Sequence, residues 1–424
     1  MIKKSLVVVS ILLFVIHLSY GQDYYKNTVP QRIILNLTSA PSTSMAVTWR
    51  TIAAVPNPQI QVAAAEAWTK FTANAKSIPA NMENISLDLL NDGAKAVYYS
   101  GVMDGLKPNT LYVYRVGGGS DWSEWNQFTT AQDKHAPFQF VFLGDAQDDI
   151  KQHVSRLFRE AFKKAPDASF WLFAGDLTVD PDDDLLEELY YAAGFIFRMT
   201  PIVLAPGNHD LKFKVDNGKY VLNKKGWREK TKEVSPFWRT QFTLPENGIA
   251  GMEESSYYLD YQGVRIIVLN SNDKLKEQAQ WMETILAGNP NTWTIVSFHH
   301  PLYSIGGKRD EQETRNAFLP LFDKYKVDLV LTGHDHTYAR SYPLTNGKRA
   351  NDGEPGTVYV VSVSGPKQYP ASSHHEAIMA KIGTQVQLFQ VISLEGGNLS
   401  YKAYTVTGSL YDSFAWSKPE KITK

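Results

Sequence analysis

The chain of 424 residues contains no cysteine. Without thiols it can form no disulfide bond, and it can offer no thiolate ligand to a zinc ion. It also lacks the Gly-x-Ser-x-Gly turn of serine hydrolases and the glycine-rich phosphate loop that ends in Gly-Lys-Ser or Gly-Lys-Thr. A serine nucleophile and a P-loop nucleotide site are therefore disfavoured.

An excess of positive charge is missing as well. The 43 lysine and arginine residues are balanced by 44 aspartate and glutamate residues, which gives a formal net charge of −1. Nucleic-acid binding usually requires a broad positive surface, so we expect no nucleic-acid footprint. The oligomeric state is left open by the sequence.

Long apolar runs are absent apart from one near the start. Lys3 and Lys4 precede the apolar run Leu6–Leu18, and Ser19-Tyr20-Gly21 follows it. The run is short for a membrane span, whereas a charged start, an apolar centre and a small final residue are typical of a signal peptide. We therefore predict that residues 1–21 are removed on export, which leaves a secreted or periplasmic protein without a membrane span. The alternative is an uncleaved N-terminal anchor.

The length of the chain indicates two domains. Short alternating runs of apolar and polar residues, separated by turn signals, occupy residues 28–131 and predict a β-sandwich. Strand-like and helix-like segments alternate over residues 137–416, which is typical of a layered α/β domain. The polar segment between them ends in Pro137 and is a plausible linker.

Apolar residues at helical spacing predict helices over residues 149–164, 184–199, 274–286 and 311–325. Residues 211–256 show no clear periodicity, and a long irregular excursion of this kind is commonly a lid or a binding loop. Seven lysines lie in this excursion. They indicate a solvated face more than a surface that steers an anionic substrate.

Five short polar blocks recur in a fixed order, nearly all after an apolar run that indicates a strand. They are Gly144-Asp145, Gly175-Asp176, Gly207-Asn208-His209-Asp210, Val296-Ser297-Phe298-His299 and Gly333-His334-Asp335-His336. The carboxyl ends of strands in an open α/β sheet border one crevice, so these side chains are expected to converge. Oxygen and nitrogen donors without thiolates suit divalent or trivalent transition ions. The pattern predicts a site that holds two metal ions and hydrolyses a phosphate ester.

The blocks resemble the motifs GDxG, GDxxY, GNH(D/E), VxxH and GHxH of the calcineurin-like metallophosphoesterases. The chain as a whole is similar to the purple acid phosphatases, since residues 30–51 and 105–117 resemble the N-terminal fibronectin-like domain of that family. The resemblance implies a fibronectin- or immunoglobulin-like β-sandwich over residues 28–131. It implies a calcineurin-like metallophosphoesterase domain over residues 137–416.

The resemblance also implies a set of metal ligands, in which Asp176 bridges two ions. The ligands of one ion would be Asp145, Asp176 and His336, and those of the other ion would be Asp176, Asn208, His299 and His334. By the same resemblance, His209 is a general acid or a transition-state donor, and Asp210 orients its ring. His300 either contacts phosphate or serves as a hydrogen-bond donor behind the ligands, and these two roles stay open.

Two positions depart from the family pattern. Val179 stands where the purple enzymes carry a tyrosine ligand, and it has no donor atom. The iron(III)–tyrosinate colour should therefore be absent, and a divalent pair of zinc, manganese or iron(II) is expected. Gln147 stands where the family carries glycine or a histidine ligand. It either supplies an amide oxygen to a metal or holds a metal-bound water.

The predicted function is that of an exported, metal-dependent, acid phosphatase-like phosphomonoesterase that acts on a small-molecule phosphate ester. The expected chemistry is attack of a metal-bound hydroxide at a dinuclear centre. A phosphodiesterase or nucleotide hydrolase on the same scaffold is the close alternative. An alternative of another class is a binding protein in which the metal site is vestigial.

Overall fold

The computed structural model describes residues 27–84, 96–351 and 353–421. The predicted signal peptide at residues 1–21 lies outside these ranges. Within them, none of the helices combines the length and the apolar character that a transmembrane segment requires.

The first part of the chain is a β-sandwich, as predicted. Its nine strands are β1 Gln31–Asn36, β2 Met45–Thr51, β3 Gln59–Ala64, β4 Lys76–Pro79, β5 Asn81–Asn84, β6 Val97–Met103, β7 Leu111–Gly118, β8 Asp121–Trp122 and β9 Asn126–Thr129. The strands β1, β2, β6 and β5 form one sheet, and β4, β3 and β7 with β8 and β9 form the other. The buried ring of Trp49 stacks on Tyr99 between the sheets, with 5.3 Å between ring centroids.

The second part of the chain contributes the remaining described strands. They are β10 Phe138–Leu143, β11 Trp171–Phe173, β12 Ile202–Leu204, β13 Leu211–Phe213, β14 Val215–Asp216, β15 Lys219–Tyr220, β16 Lys230–Val234, β17 Tyr257–Tyr261, β18 Val264–Val268, β19 Trp293–Ser297, β20 Leu329–Thr332, β21 Tyr338–Ser341, β22 Leu344–Thr345, β23 Lys348–Arg349, β24 Val358–Val361, β25 Met379–Gly383, β26 Leu388–Glu395, β27 Asn398–Thr405 and β28 Leu410–Ser417.

The described helices follow the apolar periodicity closely. They are α1 Phe71–Asn74, α2 Ser155–Lys164, α3 Asp183–Ala193, α4 Ile196–Met199, α5 Pro236–Gln241, α6 Leu275–Ala287 and α7 Gln312–Tyr325. A π-helical turn, Ile150–Val154, precedes α2, and a 3₁₀ turn spans Glu376–Ile378. The single helix predicted over residues 184–199 is divided into α3 and α4. Gly194 follows α3 with a φ of 57°, a left-handed conformation in which glycine often ends a helix.

Two large sheets form the layers of the second part, which confirms the predicted layered α/β fold. One sheet runs in the order β28-β27-β26-β10-β11-β12 and then continues into β1-β2-β6-β5 of the sandwich. The other runs in the order β17-β18-β19-β20-β24-β21-β25. Their facing sides share one apolar core, while the buried residues of α6 and α7 pack on the outer side of the second sheet.

The sandwich is joined to the second part by strand pairing and by ion pairs. Strand β1 pairs in parallel with β12, where Asn36 lies opposite Ile202. Arg32 and Arg50 approach the carboxylate of Asp183 in α3 at 2.8 and 2.9 Å. Residues 131–137 form no helix or strand, and the exact domain boundaries stay predictions.

The excursion at residues 211–256 is only partly irregular, because residues 242–256 form no helix or strand whereas its first part does. It contains β13 to β16 and α5, and the side chain of Ser235 caps α5 by accepting the backbone N–H of Phe237. The strands have only two to five residues each. Such short segments show no periodicity in the sequence, and they are recognisable only through their pairing.

Candidate metal centre

The predicted ligands lie just beyond the carboxyl ends of strands from both large sheets. Asp145 follows β10, Asp176 follows β11, Asn208 follows β12, His299 follows β19, and His334 and His336 follow β20. The structure brings these six side chains together in one buried cluster, because the carboxyl ends of the parallel strands meet at the same edge.

The backbone at the cluster takes conformations that ordinary residues avoid. Asp176, His334 and His336 have φ values of 51°, 72° and 49°. This left-handed region costs free energy for residues other than glycine and is found mainly at functional sites. A Cβ atom at Gly207 would collide with Oδ1 of Asp176, so the glycine of that block is needed for the close approach of two loops.

One group of donors surrounds His299. Its Nε2 lies 3.2 Å from Oδ2 of Asp176 and 3.1 Å from Oδ1 of Asn208. The same atom lies 3.1 Å from Nδ1 of His334. The other ring nitrogen of His299 lies 2.8 Å from the carbonyl of Ala174 and donates its N–H there. Four lone-pair donors therefore face one another, an arrangement that a cation among them would stabilise.

A second group of donors surrounds His336. Its Nδ1 lies 3.0 Å from the carbonyl of Lys367, which leaves Nε2 as the free ring nitrogen. This Nε2 lies 3.2 Å from Oδ2 of Asp145, an atom that is buried and has no hydrogen-bond partner. Carboxylate oxygens, an amide oxygen and imidazoles suit zinc, manganese and iron(II), so both groups fit the expected ions.

Gln147 lies inside this second group. Its Nε2 is 2.7 Å from Nε2 of His336 and 3.4 Å from Oδ2 of Asp176, while its Oε1 is buried without a partner. The oxygen and nitrogen of a side-chain amide exchange places by rotation. After this rotation the amide oxygen of Gln147 would point at Nε2 of His336 and at the carboxylate of Asp176. A metal ligand would occupy the same position.

The electrostatics of the cluster are dominated by burial. Burial raises the pKa of Asp145 to about 7, and it lowers the pKa of His336 to about 4. Burial, together with the neighbouring His300, lowers the pKa of His334 well below its usual value. Burial alone would raise the pKa of Asp176, but the charge of His299 outweighs it and lowers that pKa. Neutral imidazoles beside buried carboxylates are the forms that bind metal ions.

The predicted role of Asp210 as the residue that orients His209 is wrong. The carboxylate of Asp210 accepts the backbone N–H groups of Asp176 and Gly207, at 2.8 and 2.7 Å. It therefore holds two ligand loops together. The His209 ring instead contacts the backbone carbonyl of Val179 through Nδ1. Burial lowers the pKa of His209, and the nearby charge of Asp176 offsets this effect only in part.

His300 lies beside the six predicted ligands, and one of its ring nitrogens is within 4.8 Å of ring nitrogens of His299 and His334. Its Nδ1 is 2.9 Å from the hydroxyl of Ser271, and its ring is 4.4 Å from the ring of His334. It also lines a cavity of about 1080 Å³. Burial and the neighbouring His299 lower the pKa of His300 to about 3, so the ring is neutral.

Three cationic side chains that no motif indicated lie close to the cluster. Lys230 donates from Nζ to the carbonyl of His209 at 2.9 Å, and Arg309 donates to the carbonyl of His334. The Lys367 ammonium lies 3.4 Å from Asp148. Lys230 was one of the seven lysines of the excursion, and only the folded chain distinguishes it from those on the surface.

Comparison with known proteins identifies the family. Residues 30–130 match the family described as purple acid phosphatase, N-terminal domain, and residues 138–338 match calcineurin-like phosphoesterase. The chain belongs to the purple acid phosphatase-like members of the calcineurin-like phosphoesterase superfamily. This confirms the resemblance on which the site was predicted.

Several curated relatives of the chain are named as acid phosphatases, and the chain spans about half to three quarters of their length. It is 27% identical to acid phosphatase type 7 of Danio rerio over 62% of this chain and 62% of that protein. It is 24% identical to acid phosphatase type 7 of Mus musculus over 77% of this chain and 74% of that protein. The phosphoenolpyruvate phosphatase of Allium cepa is 28% identical over 58% of this chain and 50% of that protein.

The solved structure of purple acid phosphatase PPD1 from yellow lupin shares the fold. It has a TM-score of 0.77 at 20% identity and covers 92% of this chain and 75% of that chain. Val179 stands at the position of the tyrosine in the GDxxY motif that the sequence resembles. Only the backbone carbonyl of Val179 is used at the site, where it contacts His209.

Proposed function

We propose that this protein is an exported phosphomonoesterase whose site holds two divalent metal ions. The observation that carries the proposal is the pair of donor groups around His299 and His336, which share the carboxylate of Asp176. In each group a ring nitrogen lies 2.7–3.2 Å from other possible ligand atoms, and a cation among them would stabilise either group. Burial would lower the pKa of His299, but the charges of Asp176 and Asp145 raise it to about 9, so a metal ion there would replace a proton. Two ions would suit the site better than one, because the donors fall into two groups.

Two divalent ions, when bound, would neutralise phosphoryl oxygens and lower the pKa of a water molecule. The residues of the chain would hold and surround the ester. Asp176 would hold both ions, since it belongs to both donor groups. The contact of His209 Nδ1 with Val179 leaves Nε2 as the ring atom that can hydrogen-bond to a phosphoryl or leaving-group oxygen. Lys230 and Arg309 add positive charge beside the anionic ester.

The proposal includes the type of metal and the destination of the protein. Val179 offers no phenolate to balance the extra charge of iron(III), so zinc, manganese or iron(II) is expected. Protein as isolated should therefore lack the visible tyrosinate band. Export is supported by the charged and apolar start of the sequence. Mass spectrometry of the secreted or periplasmic protein should find Gln22 as its first residue.

The experiment compares hydrolysis of a chromogenic phosphomonoester and the matching diester. Protein stripped of metal is refilled with zinc, manganese or iron(II), and Asn208→Ala and His209→Ala are measured beside it. His153→Ala is the matched control, because His153 is an exposed histidine in the π-helical turn before α2 and is not a predicted ligand. Turnover of the monoester should require metal, should collapse in both site variants and should persist in the control.

Two results would contradict the proposal in different ways. A clear preference for the diester would retain the metal chemistry and identify a phosphodiesterase. Absence of turnover with every metal, in protein that is folded by circular dichroism, would favour a binding protein with a vestigial site.

A further inference from the structure

A short antiparallel unit projects from the excursion, and we call residues 213–230 the ribbon. It contains β14 and β15 and a third segment around Arg228. Val221 donates its N–H to the carbonyl of Lys214, and Glu229 donates to the carbonyl of Val221, at 2.9 and 2.7 Å. These bonds make the ribbon an ordered element of three segments.

One face of the ribbon carries apolar side chains that stay largely exposed, although Tyr220 also contacts Phe213 and Arg228. Val215 pairs with Tyr220, and Leu222 pairs with Arg228, so these side chains share a face. Val215, Tyr220 and Leu222 are 54%, 45% and 57% exposed. Asp216 pairs with Lys219 on the opposite face, which makes the ribbon amphipathic.

The far end of the ribbon, its tip, carries positive charge beside a tryptophan. Asn223 accepts the backbone N–H groups of Lys225 and Trp227, at 2.8 and 3.1 Å, and this holds the turn. Trp227 is 65% exposed, and Nζ of Lys225 lies 5.2 Å from the centre of its ring. Within the described parts of the chain, Lys219, Lys224 and Lys225 have no carboxylate within ion-pair distance.

The lysines at the base of the ribbon differ from those at the tip. Lys212 lies 3.6 Å from Glu233, and Lys214 lies 3.5 Å from Glu229. The lysines at the base of the ribbon are thus paired with carboxylates, whereas the lysines at its tip are not. The tip therefore favours an occupant that is anionic and that also accepts apolar side chains.

We propose that the ribbon tip binds the surface of an anionic lipid membrane. Tryptophan prefers the boundary between headgroups and acyl chains, and Leu222 would enter the same region. Lys224 and Lys225 would lie against lipid phosphates, where each lysine strengthens binding by roughly fivefold. Lys219 follows the other turn, Asn217-Gly218, at the opposite end of the ribbon. A neutral apolar partner would leave the two charges at the tip unused. Membrane binding of this kind requires neither metal nor turnover, so it goes beyond the proposed function.

The ribbon also connects the membrane surface with the candidate metal centre. At its base, Lys230 donates to the carbonyl of His209 at 2.9 Å. Arg228 lies over the ring of Tyr220 at 4.7 Å and 3.6 Å from Asp182, which holds the ribbon against the body of the protein.

The experiment is co-sedimentation of the full protein with vesicles. Vesicles of phosphatidylcholine alone are compared with vesicles that also contain phosphatidylglycerol. The protein should bind the anionic vesicles, and added salt should weaken the binding. The double variant Lys224→Gln and Lys225→Gln should lose roughly 25-fold in affinity. The double variant Leu222→Ser and Trp227→Ser should also bind far more weakly.

The matched control is Trp68→Ser in the sandwich. Trp68 is 69% exposed and has Nζ of Lys70 5.9 Å from its ring centre, so it repeats the chemistry of the tip at another place. Its binding should equal that of the unchanged protein. The proposal is overturned if the unchanged protein ignores anionic vesicles, or if the tip variants bind as well as the control. None of these results depends on turnover, so they stand apart from the test of the proposed function.

Discussion

At Gly207 the protein has no room for a side chain. The position faces the carboxylate of Asp176, and a methyl group there would displace either the carboxylate or the loop that carries Asn208. Gly207 therefore contributes to the site by leaving room for the carboxylate of Asp176, since glycine has no side-chain donor atom. Its effect on metal binding can be separated from the effect of removing a ligand.

We predict that Gly207→Ala loses metal although every ligand is retained. Binding of zinc should weaken by at least roughly 10- to 100-fold, the size of effect seen when support of metal ligands is removed. Equilibrium dialysis with metal analysis measures this. Gly288→Ala is the control, because the nearest atom to a Cβ there is a carbonyl oxygen at 3.6 Å, an ordinary contact. Equal metal content in the two variants would contradict the prediction.

The sequence indicated the six ligands but not how their neighbours act. Adjacent positions in a sequence do not reveal where a side chain points, so Asp210 was assigned to the ring of His209 when it holds backbone N–H groups. Val179 has no donor in its side chain, and its carbonyl could be recognised only in the folded chain. Arg309 likewise reaches the site from a loop that carries no motif.

At the scale of elements, strand β21 is tied to β28 in the other large sheet. Arg340 approaches Asp412 through Nε at 2.7 Å and through Nη2 at 3.0 Å, and the hydroxyl of Tyr338 donates to the same carboxylate at 2.8 Å. Both members of the ion pair are largely buried. Their contact fixes the distance between the two sheets near their ends.

We predict that Asp412→Ala is strongly destabilising. It would leave the buried guanidinium of Arg340 without a partner, and removal of one member of a buried pair costs about 3–5 kcal/mol. Urea unfolding followed by circular dichroism measures the loss. Glu283→Gln removes one member of an exposed pair with Lys324 and should leave the unfolding midpoint unchanged. Equal losses of stability for Asp412→Ala and Glu283→Gln would contradict the prediction.

A second prediction at this scale concerns pH and the loop that follows α5. Burial raises the pKa of Glu254 from 4.5 to about 7, although the neighbouring Arg239 opposes the shift. Between these pH values the folded chain holds a proton that the unfolded chain releases, so stability falls as pH rises through the window. The linked loss is about 3 kcal/mol by pH 7.

Glu254→Gln should remove this part of the pH dependence, because the amide does not titrate. Urea unfolding at several pH values between 4.5 and 7.5 measures the difference between the two proteins. Parallel curves for the unchanged protein and the variant would show that Glu254 does not contribute.

The helices and strands differ in how clearly the sequence predicts them. Helices α2, α6 and α7 have apolar residues on one side over three or more turns, so their periodicity predicted them to within a few residues. The strands of the ribbon are too short to repeat any pattern. Their tight turn at Asn217-Gly218, with φ of 49° and 75°, was the local signal for a hairpin.

At the scale of the whole molecule, the sandwich completes the larger sheet of the second part. Strand β12 would become an edge strand without β1. A small apolar cluster of Tyr98, Leu186 and Phe237 also spans the junction, together with Ala96. Without the sandwich, Asp183 in α3 would also lose its ion pairs with Arg32 and Arg50. The two parts thus depend on each other for burial.

We predict that residues 132–421 expressed alone are poorly folded. An exposed edge strand, an uncovered apolar cluster and an unpaired carboxylate all arise at the same surface. Calorimetry should show one cooperative transition for the full protein and a weaker or absent transition for the fragment. A soluble fragment with a sharp transition and full metal content would contradict this.

The hydrogen bonds of Asp210 have a further consequence for the whole site. They bind the loop of Asp176 to the loop that ends in Asn208, so these loops shift as a single body. Asp176 is also common to both donor groups, and an ion in one group would fix this carboxylate for the other. Occupancy of the two positions would therefore be linked, and each ion would change the affinity of the site for the other by the same factor.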